Sequence, residues 1–395
     1  MVGFATAGLA QTAITLDQGE GYANDVFYSL SDGVVASVES GNWDLAFDVT
    51  SPFSNAIRVN DGNGRELALY PGGGVEAWEA VDTAGFSTWN RLHNGLDSWF
   101  NGAFNVGTTS DPSDFGWGEY TGPPLHQVIG DSIYIIGLPD GSARKLRIDL
   151  LNMGEWTFTH AALDGSDEET VVMNMSDTEN RRFLYYSFSE GWIDREPDLD
   201  SWDFVLTRYV GPTTYGMYPT TGVLLNADRP ASVAEGVTPS EAVLADFPVA
   251  DAPYTLIGNA WKTLEGWTWQ LVPDLSYFVQ ANNGDVYHLV FTSFEGSATG
   301  ITTLNAELVS TVNVAEAAAS ALRAYPNPVA DGPVRLTGWQ GRAEVAVWSA
   351  GGRLMDRFVT ADAVVELNAS GWSTGVYLVQ VQDEQGTFTA QILKR

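Results

Sequence analysis

The chain has 395 residues, no cysteine, and 50 Asp and Glu against 19 Lys and Arg, a formal charge of -31 at pH 7. Without thiols there are no disulfides, iron-sulfur clusters, thiolate zinc sites or cysteine nucleophiles, and so acidic a surface repels nucleic acid and anionic membranes. At 44% hydrophobic residues the chain is long enough to bury two or three cores, and no stretch approaches the ~20 apolar residues that cross a bilayer.

In chain order, Met1 to Ala10 is apolar and uncharged and closes on Gly8-Leu9-Ala10, the character of the back half of a signal peptide without its basic region. An internal repeat follows. Phe27-Tyr28-Ser29-Leu30-Ser31-Asp32-Gly33 returns as Tyr185-Tyr186-Ser187-Phe188-Ser189-Glu190-Gly191, with Gly33 and Gly191 158 positions apart. Asn42-Trp43-Asp44-Leu45-Ala46-Phe47 returns as Ser201-Trp202-Asp203-Phe204-Val205-Leu206, with Trp43 and Trp202 159 apart. Ile133-Tyr134-Ile135-Ile136, with Asp140-Gly141 and Lys145-Leu146, returns as Ser276-Tyr277-Phe278-Val279, with Asn283-Gly284 and His288-Leu289. That offset is 143, so the first copy holds about 16 more residues between its halves.

Within each copy aromatic and β-branched residues alternate, and Asp-Gly or Asn-Gly pairs sit where a hairpin reverses. Ile133 to Ile148 is the clearest hairpin, with its tip at Asp140-Gly141. Ser87 to Trp99 has room for one short helix, and the acidic, Ala-rich stretch Ala227 to Asp251 reads as loop around a short helical turn. Val314 to Ser320 is a small-residue linker. Beyond it, period-2 runs such as Glu344-Val345-Ala346-Val347-Trp348 alternate with turns at Gly351-Gly352 and Gly371. The expected organisation is all-β: a partial signal peptide over 1-10, β repeats over 11-178 and 179-312, a linker over 313-320, and a small immunoglobulin-like β-sandwich over 321-395.

The last segment opens with Arg323-Ala324-Tyr325-Pro326-Asn327-Pro328-Val329 and closes with Gly375-Val376-Tyr377-Leu378-Val379-Gln380-Val381 and Lys394-Arg395. In this order of motifs it resembles the type A sorting domain of the type IX secretion system, which Bacteroidota use to move proteins across the outer membrane. The resemblance implies a sorting signal at Pro326, Asn327, Pro328, Gly375, Tyr377, Lys394 and Arg395. It also implies the type IX machinery as a partner, passage through the periplasm, and a product secreted or held at the outer cell surface.

The repeated part resembles the HmuY-like family, all-β proteins of Bacteroidota whose founding members are haem-binding haemophores. The carrying residues are the aromatic-Ser start with its Gly, the Trp-Asp pair opening an apolar strand, and the Tyr134 hairpin ending in Lys145-Leu146. Ser98-Trp99-Phe100-Asn101-Gly102-Ala103-Phe104-Asn105, Gly116-Trp117-Gly118 with Tyr120, and Leu163-Asp164-Gly165-Ser166 are similar to a sorting-domain subgroup of that family. The resemblance covers most of residues 25-310 and makes haem or a related tetrapyrrole the first candidate ligand.

Haem iron needs one or two soft axial donors in an apolar slot, with cations for the propionates. The histidines are His93, His126, His160 and His288. His126 and His160 flank the Ile133 to Ile148 hairpin, Met153 is a substitute donor, and Arg144, Lys145 and Arg147 form the nearby basic cluster. The candidate cofactor site is therefore His126, His160, Met153, Arg144 and Lys145; the alternative is that both histidines make ordinary hairpin or turn hydrogen bonds. His288 stands where the first copy has Lys145, a structural position near a strand end.

Enzyme signatures are weaker. Gly371-Trp372-Ser373-Thr374-Gly375 has nucleophile-elbow spacing, but strand follows it and no histidine comes after His288. Gly72-Gly73-Gly74-Val75-Glu76-Ala77 lacks a βαβ context, and Asp164-Gly165-Ser166-Asp167-Glu168-Glu169 lacks the EF-hand alternation. No catalytic or metal residue is assigned. Among the 14 tryptophans, Trp78, Trp89, Trp99, Trp117, Trp261, Trp267 and Trp269 fall outside the repeat pattern. Buried tryptophans fill cores and exposed ones make stacking platforms; Trp267 and Trp269, two apart, share one strand face. The reading is an exported, non-enzymatic binding protein, with a surface-interaction, glycan-binding or structural role without haem as the rival.

Overall fold

A computed structural model describes residues 12-106, 111-213, 216-266, 268-310, 322-330, 332-339, 341-349, 353-383 and 386-395. The expected signal-peptide segment 1-10, the linker 313-320 and the Gly351-Gly352 turn lie outside the described residues. The chain divides into two compact units, Met1–Thr311 and Val312–Arg395.

Two kinds of strand build the first unit, and their burial follows their sequence. Outer strands alternate: Thr12–Asp17 buries Ile14 and Leu16 while Thr15 and Asp17 face out. Inner strands such as Leu45–Asp48 and Phe183–Ser187 are buried at every position, as expected of strands covered on both faces. Four main antiparallel sheets result. An inner sheet of Gly191–Ile193, Phe183–Ser187, Leu45–Asp48 and Ile57–Val59 packs on a seven-stranded sheet centred on Ser132–Gly137, Ala143–Asn152 and Glu155–Ala162. Phe47, Trp117, Trp156 and Phe158 lie at zero exposure in the core between them, where truncating Phe158 to alanine costs about 3–5 kcal/mol.

The second inner sheet is Gly216–Leu225, Phe204–Thr213, Asn24–Ser29 and Gly33–Glu39. It packs on Thr12–Asp17, Ile301–Ser310, Val286–Phe294, Leu275–Gln280 and Ala231–Glu235, around Leu16, Phe204, Trp261 and Tyr277. The outward faces of the two inner sheets carry Phe27, Val205 and Tyr209 on one side and Ala46, Phe183 and Tyr185 on the other, and Trp99 packs with both sets.

Strand pairing crosses the expected boundary between 178 and 179. The Asn24–Ser29 hairpin of the first sequence copy pairs with Phe204–Thr213 of the second, through Tyr28 opposite Phe204. The Phe183–Ser187 hairpin of the second copy pairs with Leu45–Asp48 of the first, through Tyr185 opposite Ala46. Each sandwich thus contains the opening hairpin of the other copy. The recurring motifs explain the exchange. Buried Asp44 accepts at 2.7 Å from the Phe188 N–H and buried Asp203 accepts at 2.7 Å from the Leu30 N–H, each inside the Ser-x-Ser turn of the opposite copy. The aspartate amides donate back to Tyr186 and Tyr28 carbonyls, both at 2.8 Å. Arg65 and Arg229 balance the two carboxylates at 2.8 and 3.4 Å.

Two local expectations differ from the structure. Ser87 to Trp99 contains only the end of the 3-10 turn Phe86–Thr88, because Leu92 N–H bonds the Leu67 carbonyl and draws the segment onto a strand. Ala227 to Asp251 contributes the strand Ala231–Glu235, whose pairing with Leu275–Gln280 supplies the sheet with an edge.

The second unit is a two-sheet sandwich. Arg323–Tyr325, Pro333–Thr337 and Val364–Asn368 form one sheet; Leu354–Thr360, Ala343–Ser349, Gly375–Asp383 and Gly386–Lys394 form the other. Val334, Leu336, Val345, Val347, Val379, Val381 and Ile392, all at zero exposure, fill its core.

Candidate functional site

His160 is the best-defined of the proposed haem ligands. It lies on Glu155–Ala162 opposite Leu146, and the pleat turns it inward among Phe158, Tyr186 and Phe188. Arg144 Nη2 stands 2.9 Å from Nδ1 and Tyr186 Oη stands 2.9 Å from Nε2. A guanidinium only donates, so Nδ1 accepts and Nε2 carries the proton to the tyrosine oxygen. Burial, reinforced by the Arg144 charge, pushes the imidazole down to about 4, which keeps this neutral tautomer at pH 7. Both ring nitrogens are engaged, leaving no lone pair for an iron.

The other candidates do not converge on His160. Arg144 also pairs with Asp167 at 3.0 Å and lies over the Phe188 ring, so it belongs to the histidine's support. Buried Lys145 donates to the Trp78 carbonyl at 2.9 Å and sits over the Trp78 ring. Arg147 pairs with Asp149 at 2.7 Å. His126 is exposed, has φ 54°, and bonds the Tyr120 hydroxyl through Nδ1. Met153, exposed, occupies the two-residue turn between Asn152 and Glu155 with φ 52°. Register puts Gln127 opposite Asn152 and Leu146 opposite His160, so His126 and Met153 share one end of the sheet. The six residue steps from Leu146 to Asn152 hold His160 roughly 20 Å away.

A haem pocket takes several hundred Å³. A surface hollow of ≈ 420 Å³ is lined by Tyr22, Asn24, Glu39, Ser40 and Asn63, with neither histidine nor cation among its lining residues. The five candidate residues do not fit the group.

The tryptophans are mostly structural. Trp78, Trp117, Trp156, Trp202, Trp261 and Trp339 are buried, and among the described residues only Trp192 is exposed. Trp267 lies outside the described residues, and Trp269 is half-buried, with its ring 5.2 Å from Phe294.

Two further groups carry no motif signal. Lys262 is buried, donates to the Thr221 carbonyl, and lies 4.2 Å from the Trp261 and 4.8 Å from the Phe294 ring centres; desolvation pushes its amine down to about 7. Buried Glu196 accepts from the Arg182 and Phe183 N–H groups at 3.1 and 3.0 Å, and desolvation raises it to about 7. Only the neighbouring Arg195-Glu196 pair in an otherwise mixed stretch could have drawn attention to it.

In the second unit, residues far apart in sequence meet. Gly375 pairs with Lys394, which bridges Val329, and the exposed Asn327 accepts from Leu393 N–H at 2.9 Å and donates to the Gln391 carbonyl at 2.6 Å. Buried Lys394 donates to the Ala330 carbonyl, and Arg395 N–H bonds the Val329 carbonyl at 2.9 Å. Tyr377 Oη donates to the Ser373 carbonyl at 2.9 Å while its ring packs on Trp372. Pro326-Asn327-Pro328 is exposed beside this end.

The described residues are almost all β, and the C-terminal sandwich gathers a split motif at one sheet end. Residues 323–395 match the secretion system C-terminal sorting domain, which supports a secreted or cell-surface product handled by the type IX machinery. No curated protein matches the chain significantly. Among solved structures, PorZ, an essential bacterial surface component of the type-IX secretion system of Porphyromonas gingivalis, is 13% identical over 68% of this chain and 43% of that chain, with a TM-score of 0.19. The N-terminal four Ig domains of Dscam1 isoform 8.4 are 11% identical over 66% of this chain and 60% of that chain, with a TM-score of 0.14. Neither likeness is close enough to carry an argument. The chain spans less than half the length of the PorZ chain.

Proposed function

We propose that residues 12-310 are a non-catalytic interaction module of the HmuY-like type from a member of the Bacteroidota, exported through the periplasm and acting through its exterior. The observation that carries the reading is the sorting-domain match at 323–395 on a unit separate from Met1–Thr311. The internal chemistry supports it. The strongly perturbed His160 and Lys262 each sit in closed contacts among packed side chains rather than in an open cleft, and Glu196 is bonded to the main chain.

Haem capture is the function the HmuY-like resemblance implies, and it requires His160 to give up Arg144 or Tyr186. A glycan platform requires an exposed aromatic pair, and Trp269 is half-buried. An exterior protein contact or a structural role at the surface is the remaining reading. Two measurements test it. Cells expressing the full chain should release it or expose it to added protease, and deletion of 323–395 should abolish both. The full chain titrated with haem should show no saturable Soret band; a band saturating near one equivalent and lost in His126→Ala or His160→Ala would overturn the exterior reading.

A further inference from the structure

Where the two inner sheets face each other, a cavity of ≈ 60 Å³ is bounded by Trp43, Arg58, Arg182, Arg195, Glu196 and Trp202, with other residues of both sheets. Its charge arrangement is unusual for a chain of net charge -31. Arg195 pairs with buried Asp25 at 2.6 Å. Arg58 and Arg182 are each only 5% exposed, yet among the described residues no carboxylate oxygen lies within 4.0 Å of either guanidinium. Arg58 bonds the Trp99 carbonyl at 3.1 Å and the Tyr254 hydroxyl at 2.9 Å, and Arg182 bonds the Asn226 amide oxygen at 2.8 Å; these are neutral acceptors. Glu196 meets the main chain instead. The wall also carries Arg208 and the carboxylates of Asp25, Asp61 and Glu196, and Glu196 and Asp48 act on Arg182 from beyond ion-pair distance, so four arginines are compensated only in part.

The unmatched polar atoms of this wall point the same way. Trp43 Nε1, Trp202 Nε1, Arg182 Nε and Arg195 Nε are all buried without a partner, and all four are donors. Water can accept from two of these donors but brings two protons that need acceptors in turn, whereas an anion only accepts. About 10–15 Å³ of cavity volume holds one water, so this cavity has room for a small ion or a few waters.

We propose that this cavity is a binding site for one small monovalent anion of the halide class, held between the sheets by Arg58, Arg182, Arg195 and the indole N–H groups of Trp43 and Trp202. The ion adds to the partial counter-charge of Asp25, Asp61 and Glu196, accepts from the unmatched donors and joins the two sandwiches.

The test uses the full chain and sodium salts at equal sodium, chloride against gluconate, so that general screening is matched while only chloride fits. Unfolding should shift to higher temperature with chloride in a saturable way. Crystals grown in sodium bromide should show an anomalous peak in the cavity. Trp43→Phe keeps the ring and removes one donor, so it should fold and need roughly ten-fold more chloride for the same shift. Arg182→Met should lose the chloride effect altogether. Equal melting in both salts, a cavity holding only water in the bromide crystal, or a chloride effect unchanged in Trp43→Phe would each overturn the proposal. If Arg182→Met fails to fold, the Trp43→Phe titration and the bromide peak decide alone.

Discussion

Lys262 gives the most direct quantitative test of the fold. Its amine is pushed down to about 7 in the folded chain, against about 10.4 for a free lysine. The folded state therefore resists the proton that the unfolded state keeps. Below pH 7 both states are charged and the full burial penalty applies; as pH rises from about 7 towards 10.4 the unfolded state also loses its proton and the penalty fades. One pH unit is worth about 1.4 kcal/mol per proton, so the penalty is about 4 kcal/mol at pH 7 and falls by about 2 kcal/mol by pH 9. Lys262→Met keeps the contacts with Trp261 and Phe294 and removes the charge, at the loss of the bond to the Thr221 carbonyl, about 1–3 kcal/mol. Urea unfolding followed by tryptophan fluorescence, at pH 7 and 9, separates the terms. The variant should equal or exceed wild type at pH 7 by up to about 3 kcal/mol, and the wild-type deficit should shrink by about 2 kcal/mol at pH 9. Parallel pH profiles for the two proteins would refute the reasoning, because the acidic surface affects both alike.

His160 predicts the opposite end of the pH scale. With the folded imidazole at about 4 and the unfolded one near 6.5, its contribution is fully present above about pH 6.5 and is lost progressively as pH falls to about 4, up to about 3 kcal/mol. Acid titration of stability in wild type and His160→Gln measures the difference. Asp203→Ala removes the acceptor of the Leu30 and Asn282 N–H groups and strands Arg229, and should destabilise by about 3–5 kcal/mol in urea unfolding. Met153→Asn should stabilise by about 1 kcal/mol, because Met153 and Gly154 both have positive φ in a two-residue hairpin turn that favours Asn-Gly; differential scanning calorimetry reads the shift.

Local chemistry was legible in the sequence and long-range choice was not. Asp140-Gly141 marks a real hairpin between Ser132–Gly137 and Ala143–Asn152, since the turn residues alone specify that reversal. The Trp-Asp pairs were visible as recurring signatures, yet their partners lie 144 and 173 residues away, in the other copy. Because the two copies are alike, either hairpin suits either inner sheet by pattern, and only the assembled clasp settles which one it joins. The histidines show the same limit. His160 could be seen to sit near a basic cluster, but the tyrosine that occupies its second nitrogen comes from a strand 26 residues on. Beyond the adjacent Arg195-Glu196 pair, the buried charges between the inner sheets left no trace, because Arg58, Arg182 and Arg195 belong to separate segments with no common spacing.

The strand order also fixes when this protein can finish folding. Among the described residues, Thr12–Asp17, the first strand, pairs only with Ile301–Ser310, the last strand of the first unit, so its closure must await nearly all of that unit. A product that stops before residue 301 leaves Val286–Phe294 without that neighbour, an exposed edge suited to pairing between copies. With such distant contacts folding is slow, and truncated chains should accumulate as aggregates rather than as working halves. The exchange of hairpins extends this dependence to the first sandwich, which cannot form its inner sheet until residues 183-193 exist. Neither sandwich is a spare part that the other could lose.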